Sequence, residues 1–360
     1  MSKNDFESFP IGSVFNECQV AGTPVQTADR IVLDYPSRLE AMALDPSQIA
    51  DNDNLVYRAG QIDITVPLFK RVTVEAGADG GDIHITDSTP RPALVRHAAE
   101  IIRHALGVER GLTIDVADGV NLRHCGLGSS SSLIASVASS VNEMYGKPIR
   151  SLDLVRYLAQ NHGEEIDGDN ERLIPVQCIG GSAVCGNFKG GIIALAGEAT
   201  PIASTDISND YAVVIGVPRD FTHPDSQALM QAEIDNMEGF RNAGLEYGRE
   251  VAYRLVHQVL PAMVDGDIRS AGDLIYDYRW NMGSIRNCAF VFPRITEIAD
   301  SVGELYREGS ADIVSLSSVG PGFFAVTKEP DRAVEVFEAN NMQVLRTHAH
   351  NGTYEIVDRS

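Results

Sequence analysis

Residues 121–146 read NLRHCGLGSSSSLIASVASSVNEMYG. Gly126, Leu127 and Gly128 are followed by four serines, Ser129, Ser130, Ser131 and Ser132. Leu133, Ile134, Val137, Ala138, Val141, Met144 and Tyr145 then recur at three- and four-residue spacing, the pattern of an amphipathic helix. Gly126 and Gly128 let the backbone turn tightly and come close to a ligand. A serine just ahead of the helix is expected to cap it. The free amides of the first turn and the positive end of the helix dipole then favour an anion. Two readings follow, a phosphate cradle or an ordinary glycine turn with a serine cap. The run of hydroxyls supplies more donors than a cap needs.

The chain around this stretch has 360 residues, 44% of them hydrophobic, enough for two domains or one large one. Its 50 acids outnumber 29 bases, for a net charge of −21. A nucleic-acid partner is excluded on that balance, because a phosphate backbone demands a basic face. Phosphates must instead be bound locally, by amides, a few basic side chains or a divalent cation. Five cysteines without a CxxC pair indicate neither a disulfide framework nor a zinc site. The N-terminus lacks the apolar core of a signal peptide, and no apolar run approaches the roughly 20 residues that span a bilayer. A cytoplasmic protein with no membrane partner is expected.

Outward from the opening stretch, residues 1–29 carry few signals and are expected to form a loosely attached arm. Residues 30–35 read as a strand ended by Pro36. Residues 61–66, 71–74 and 83–86 alternate as antiparallel strands, and 112–116 is a strand leading into the serine-rich loop. A helix is expected over 92–106, stopped by Gly107, and another over 151–161. Residues 162–171 form a dense acidic loop. The glycine pairs in 180–191 mark tight turns or a strand-edge loop. A domain boundary is placed in the polar stretch 200–210. Beyond it come a strand at 211–217, helices at 226–258 (broken near 239–244), 268–279 and 294–308, and strand, glycine turn, strand at 314–326. A helix at 331–340 and strands at 342–346 and 353–357 close the chain. That order suggests a split βαβ, ferredoxin-like layer.

Three motifs in order resemble the GHMP superfamily of small-molecule kinases. They are Tyr35-Pro36-Ser37-Arg38-Leu39, residues 126–132, and Ser317-Ser318-Val319-Gly320-Pro321-Gly322-Phe323, which together span about 290 positions. The resemblance implies an α+β, GHMP-type two-domain fold. Residues 1–205 would form a ribosomal S5 domain 2-like half with the phosphate-binding loop, and 206–360 a ferredoxin-like half. The kinases commonly carry an aspartate base before the Gly-Gly turn, but no Asp or Glu lies between Glu171 and Glu198 here. Within the superfamily the chain looks like the beta-ribofuranosylaminobenzene 5'-phosphate synthases and the related, formycin-type C-nucleoside synthases. That likeness implies coupling of 5-phosphoribosyl 1-pyrophosphate to a ring carbon of an aromatic or heteroaromatic carboxylate, with loss of pyrophosphate and CO2. An ATP-dependent small-molecule kinase is the alternative.

Such chemistry assigns candidate roles. Gly126, Leu127, Gly128 and Ser129 to Ser132, with Gly320, would hold the pyrophosphate. Mg2+ takes oxygen ligands, and Glu164 and Glu165 are the nearest acids, unless that loop is merely solvated. Arg219, Thr222, His223 and Ser226 precede a helix and suit a 5-phosphate, or plain capping. Arg38, beside Ser37, is the first choice for the acceptor carboxylate, followed by Arg123 and Lys189, each otherwise a surface ion pair. His124 would accept a proton or touch phosphate, or be structural. Cys125 reads as a small buried residue. Trp280 would stack on the acceptor or pack between domains. A homodimer is the expected assembly.

Overall fold

The structure is a computed structural model describing residues 7–44, 60–119, 122–176, 178–222 and 224–360. Its spine is a pair of long antiparallel strands, Arg30–Ala43 and Gln61–Ala76. The first does not stop at Pro36. Proline has no amide to donate, and the register slips between Tyr35 and Ser37, so pairing is interrupted only locally. The strand therefore serves two cores. Ile31 and Leu33 are buried in one, and Leu39, Ala41 and Met42 in another.

Gln61–Ala76 also pairs with Leu112–Asp118 and Ile192–Ala196, and Thr200–Thr205 adds to the latter. Ile83–Ile85 lies parallel to Leu112–Asp118, not antiparallel as the alternation led us to expect. The intervening helix Pro92–Leu106 returns the chain to the same end of the sheet, and such a crossover makes neighbours parallel. This helix and Ser129–Met144 pack on each other and share the first core.

In the second sheet, Ala212–Pro218 lies between Phe323–Thr327 and Met342–Thr347, with Ile313–Leu316 outside; all pairs are antiparallel. This is the expected split βαβ layer. The last strand, Glu355–Arg359, leaves it and pairs with Arg30–Ala43 in the first sheet.

Four local expectations are corrected. The described part of the arm is docked: Phe9–Pro10 pairs with Asp169–Pro175, and Asn161 Oδ1 accepts from the amide of Phe15 at 2.6 Å. The acidic loop is a hairpin, Gly163–Ile166 with Asp169–Pro175, turned at Gly168. The glycine-rich 180–191 segment contains a short helix, Gly181–Asn187. The long helix breaks at Asn236, between Ser226–Asp235 and Met237–Arg254, and not at its glycines. Gly239 serves close packing, since a Cβ there would lie 2.6 Å from Asn287 Oδ1.

Candidate active site

The three sequence motifs meet at one cavity of about 260 Å³. Arg38 and Glu40 enter from the long first strand, residues 126–131 from the serine-rich loop, and Ser318, Val319 and Gly320 from the late glycine turn. Hydrogen bonds join them. Ser317 Oγ donates to the Gly126 carbonyl at 2.7 Å and accepts from the Glu40 amide at 3.1 Å. The Ser318 amide donates to the Glu40 carbonyl at 3.1 Å. The approach is close enough that a Cβ on Gly126 would lie 2.2 Å from the Ser317 carbonyl oxygen.

Gly128, at φ 63°, is the residue before the Ser129–Met144 helix, and it makes no side-chain cap. The expected serine cap is thus corrected: the left-handed glycine turns the chain straight into the helix, so the serines occupy its first turn. The amides of Ser129, Ser130 and Ser131 have no acceptor within the helix. The hydroxyls do separate work. Ser131 Oγ donates to Ser182 Oγ at 2.7 Å, Ser130 Oγ to Glu164 Oε2 at 2.8 Å, and the buried Ser132 Oγ to the Ser129 carbonyl at 3.4 Å.

Behind Ser130 lies an ion-pair network that the sequence reading missed. Arg91 places Nη2 3.1 Å from Glu164 Oε2 and Nε 2.8 Å from Glu165 Oε1. Arg123 also pairs with Glu165, at 3.4 Å. Burial alone would raise the Glu164 carboxyl, but His162 and the Arg91 charge outweigh it and hold it near 2. Glu164 lines the cavity; Glu165 does not. Among the described residues, no cluster of three or more His, Cys, Asp or Glu is arranged to hold a metal unaided.

Arg38 lies 3.3 Å from Glu40 and 3.9 Å from Asp63, and its Nη1 donates to the Gly126 carbonyl at 3.4 Å. Its buried Nε has no hydrogen-bond partner. Asp63 is fully buried, also missed from sequence, and both its oxygens accept from Gln61 Nε2. Burial, opposed by Arg38 and aided by Glu40, raises Asp63 to about 7. The Gly181–Asn187 helix sits directly on this pair: a Cβ on Gly181 would lie 1.8 Å from Gln61 Nε2. Tyr35 anchors the helix by donating its hydroxyl to the Ser182 and Ala183 carbonyls, both at 3.1 Å.

Part of the lining is apolar, built by Leu229, Met230, Met237 and Phe240 with Val319. Glu233 joins it, and burial together with the charges of Glu40 and Glu164 raises its carboxyl to about 7. His124 lines the cavity, its Nε2 3.2 Å from Ser226 Oγ. Cys125 is buried and its thiol is pushed up to about 11 by burial, which leaves it protonated at neutral pH.

Other expected site residues fall elsewhere. Ser37 points away from Arg38 along the strand and donates to the Leu68 carbonyl at 2.7 Å. Lys189, Arg219 and Thr222 are exposed and do not line the cavity, and His223 lies outside the described residues. Trp280 is also away from it. Its Nε1 donates to the Ala299 carbonyl at 3.0 Å and its ring stacks on Tyr276, inside the C-terminal half.

Residues 93–174 match the family described as GHMP kinases N terminal domain. No curated protein matches the sequence. Among solved structures, homoserine kinase from Cytophaga hutchinsonii aligns with a TM-score of 0.61 at 14% identity, over 92% of this chain and 98% of that one. Mevalonate diphosphate decarboxylase from Enterococcus faecalis, in a structure titled for its ATP binding mechanism, aligns at 0.58 and 15% identity, over 91% and 99%. L. major mevalonate kinase, solved with R-mevalonate, aligns at 0.56 and 13% identity, over 93% and 100%. Among the described residues, no helix is long and apolar enough to cross a membrane. The chain has the two-domain α+β GHMP fold, and residues 93–174 within it match the GHMP kinase N-terminal domain.

Proposed function

We propose that the cleft binds 5-phosphoribosyl 1-pyrophosphate, with its diphosphate on the 126–131 loop, and joins the anomeric carbon to a ring carbon of an aromatic carboxylic acid. The supporting observation is the composition of the surfaces around the loop. Leu229, Met230, Met237, Phe240 and Val319 give the cavity a largely apolar wall that includes one acid, Glu233, and the Gly181–Asn187 helix beside the loop carries no carboxylate. A flat ring suits such a wall, and Arg38 at the loop edge suits the ring's carboxylate.

The loop amides would stabilise the diphosphate as its bond to the anomeric carbon breaks and the ring carbon forms the new C–C bond. Loss of CO2 then returns the carboxyl bond's electrons to the ring, so no base is required. The wall's apolar side chains would keep water from the reacting carbon. Mg2+, when bound, would neutralise charge on the anhydride oxygens. Glu164, ionised and sharing a hydrogen bond with Ser130 at the loop, fits that ion as its one carboxylate. Glu165, held by Arg91 and Arg123 away from the cavity, does not.

A second reading, an ATP-dependent small-molecule kinase, has the better support from the solved neighbours, two of them kinases and one titled for ATP binding. In that reading Glu233, raised toward 7, suits the removal of a hydroxyl proton. Incubation with phosphoribosyl pyrophosphate and a panel of aromatic carboxylic acids, beside ATP with small alcohols, separates the two. Pyrophosphate and CO2 released in equal amounts support the first; ADP formation with phosphoribosyl pyrophosphate untouched sinks it in favour of the second.

A further inference from the structure

We propose that Arg91 occupies the charge position that a divalent cation would take beside Glu164, so that the cation binds with the phosphoanhydride and not before it. The inference rests on the reading that Glu164 and the serine-rich loop serve a cation-bound anhydride.

One guanidinium engages the whole donor set. Arg91 Nη2 lies 3.1 Å from Glu164 Oε2 and 2.7 Å from Ser130 Oγ, and Ser130 Oγ donates to that same carboxylate oxygen. Nη1 lies 3.4 Å from Ser129 Oγ, and Nε is fixed by Glu165. The other oxygen of Glu164 faces the His162 ring at 3.6 Å. A cation arriving alone would meet a carboxylate already neutralised and would stand against a guanidinium within contact range, where like charges repel strongly.

The backbone holds Arg91 in this place. It adopts φ 54°, a left-handed conformation uncommon for a residue with a side chain, directly before Pro92, and it is buried. An arriving diphosphate changes the balance. Its oxygens offer the guanidinium a forked partner at the same two serines, which frees Glu164 for the cation. Arg91 then moves from carboxylate to phosphate, and no group has to leave the protein interior unpaired.

The test uses Mn2+ alone as the probe, with free ion read by electron paramagnetic resonance at pH 8 and folding checked by circular dichroism. Wild type is expected to bind Mn2+ weakly. Arg91→Met should bind it at least tenfold tighter, and adding Glu164→Gln to that variant should return binding to the wild-type level. Arg91→Lys keeps a charge but cannot span both glutamates; it should bind several-fold tighter than wild type and serves if the Met variant does not fold. Binding no tighter than wild type in the folded variant overturns the proposal. Calorimetry of pyrophosphate with wild type, in the presence of Mg2+, judges the underlying reading separately: no binding there refutes the anhydride site, while the Mn2+ series alone decides the role of Arg91.

Discussion

Replacing Gly128 with alanine tests the loop where it turns into the helix. The backbone there sits at φ 63°, and a Cβ would lie 2.3 Å from Ser182 Oγ and 3.0 Å from Arg38 Nε. Left-handed backbone costs about 1–2 kcal/mol for a residue with a Cβ. Ser182 must also move, which breaks its 2.7 Å hydrogen bond with Ser131, for about 1 kcal/mol more. The expected loss of stability is therefore about 2–3 kcal/mol, read from the urea midpoint. Gly107→Ala isolates the first contribution, because Gly107 has nearly the same φ, 62°, with nothing within 4 Å of its Cβ. Only Gly128→Ala should also weaken pyrophosphate. Displacing the first turn by one charged hydrogen bond, at about 1.5–3 kcal/mol, lowers affinity by roughly tenfold or more. Calorimetry of pyrophosphate with both variants is the assay. Unchanged affinity in folded Gly128→Ala would refute the assignment of the loop as the anhydride cradle.

Tyr35→Phe should lose about 1–2 kcal/mol of stability, because the two carbonyls that hold the Gly181–Asn187 helix lose their shared donor; equal urea midpoints would contradict that anchoring. Asp63 predicts a pH dependence. Its carboxyl is raised to about 7 in the folded protein, against about 4 in an unfolded chain. Between those values the folded form keeps a proton that the unfolded form has released. The contribution is thus complete below pH of about 4 and is lost as pH rises toward 7, with a ceiling of about 4 kcal/mol. Asp63→Asn mimics the protonated acid and should flatten that slope; parallel pH profiles for variant and wild type would show that Asp63 is not its source. The Arg91 variants, finally, should gain Mn2+ affinity as described above.

The helices and most strands were legible because their apolar spacing is local. Leu94, Ala98, Ile101, Ile102 and Leu106 recur at helical spacing within 92–106, and all are buried. The glycine-serine loop and the helix after it were legible for the same reason, since they are adjacent in sequence. Asp63 was not. Gln61, Asp63 and Thr65 alternate with Ile62, Ile64 and Val66, which reads as one wet and one dry face, yet all six are buried. The wet face is covered by the Gly181–Asn187 helix, more than a hundred positions away, and no local pattern reports that. Arg91 gave only a single signal, an arginine before a proline at a helix start. Its partners lie 73 and 74 positions further on, in a segment that looked like a solvated loop and is a hairpin. Pro36 misled in the opposite direction, because a bulge let the strand continue past it to carry Arg38 and Glu40 into the cleft.

Whether the loop amides grip a phosphoanhydride is answered by a crystal structure of the protein with phosphoribosyl pyrophosphate. The diphosphate should lie within hydrogen-bond reach of the Ser129, Ser130 and Ser131 amides, with the ribose directed at the wall of Leu229, Met230 and Phe240. A diphosphate seated instead at Arg219 and Thr222, with the loop empty, would contradict that grip.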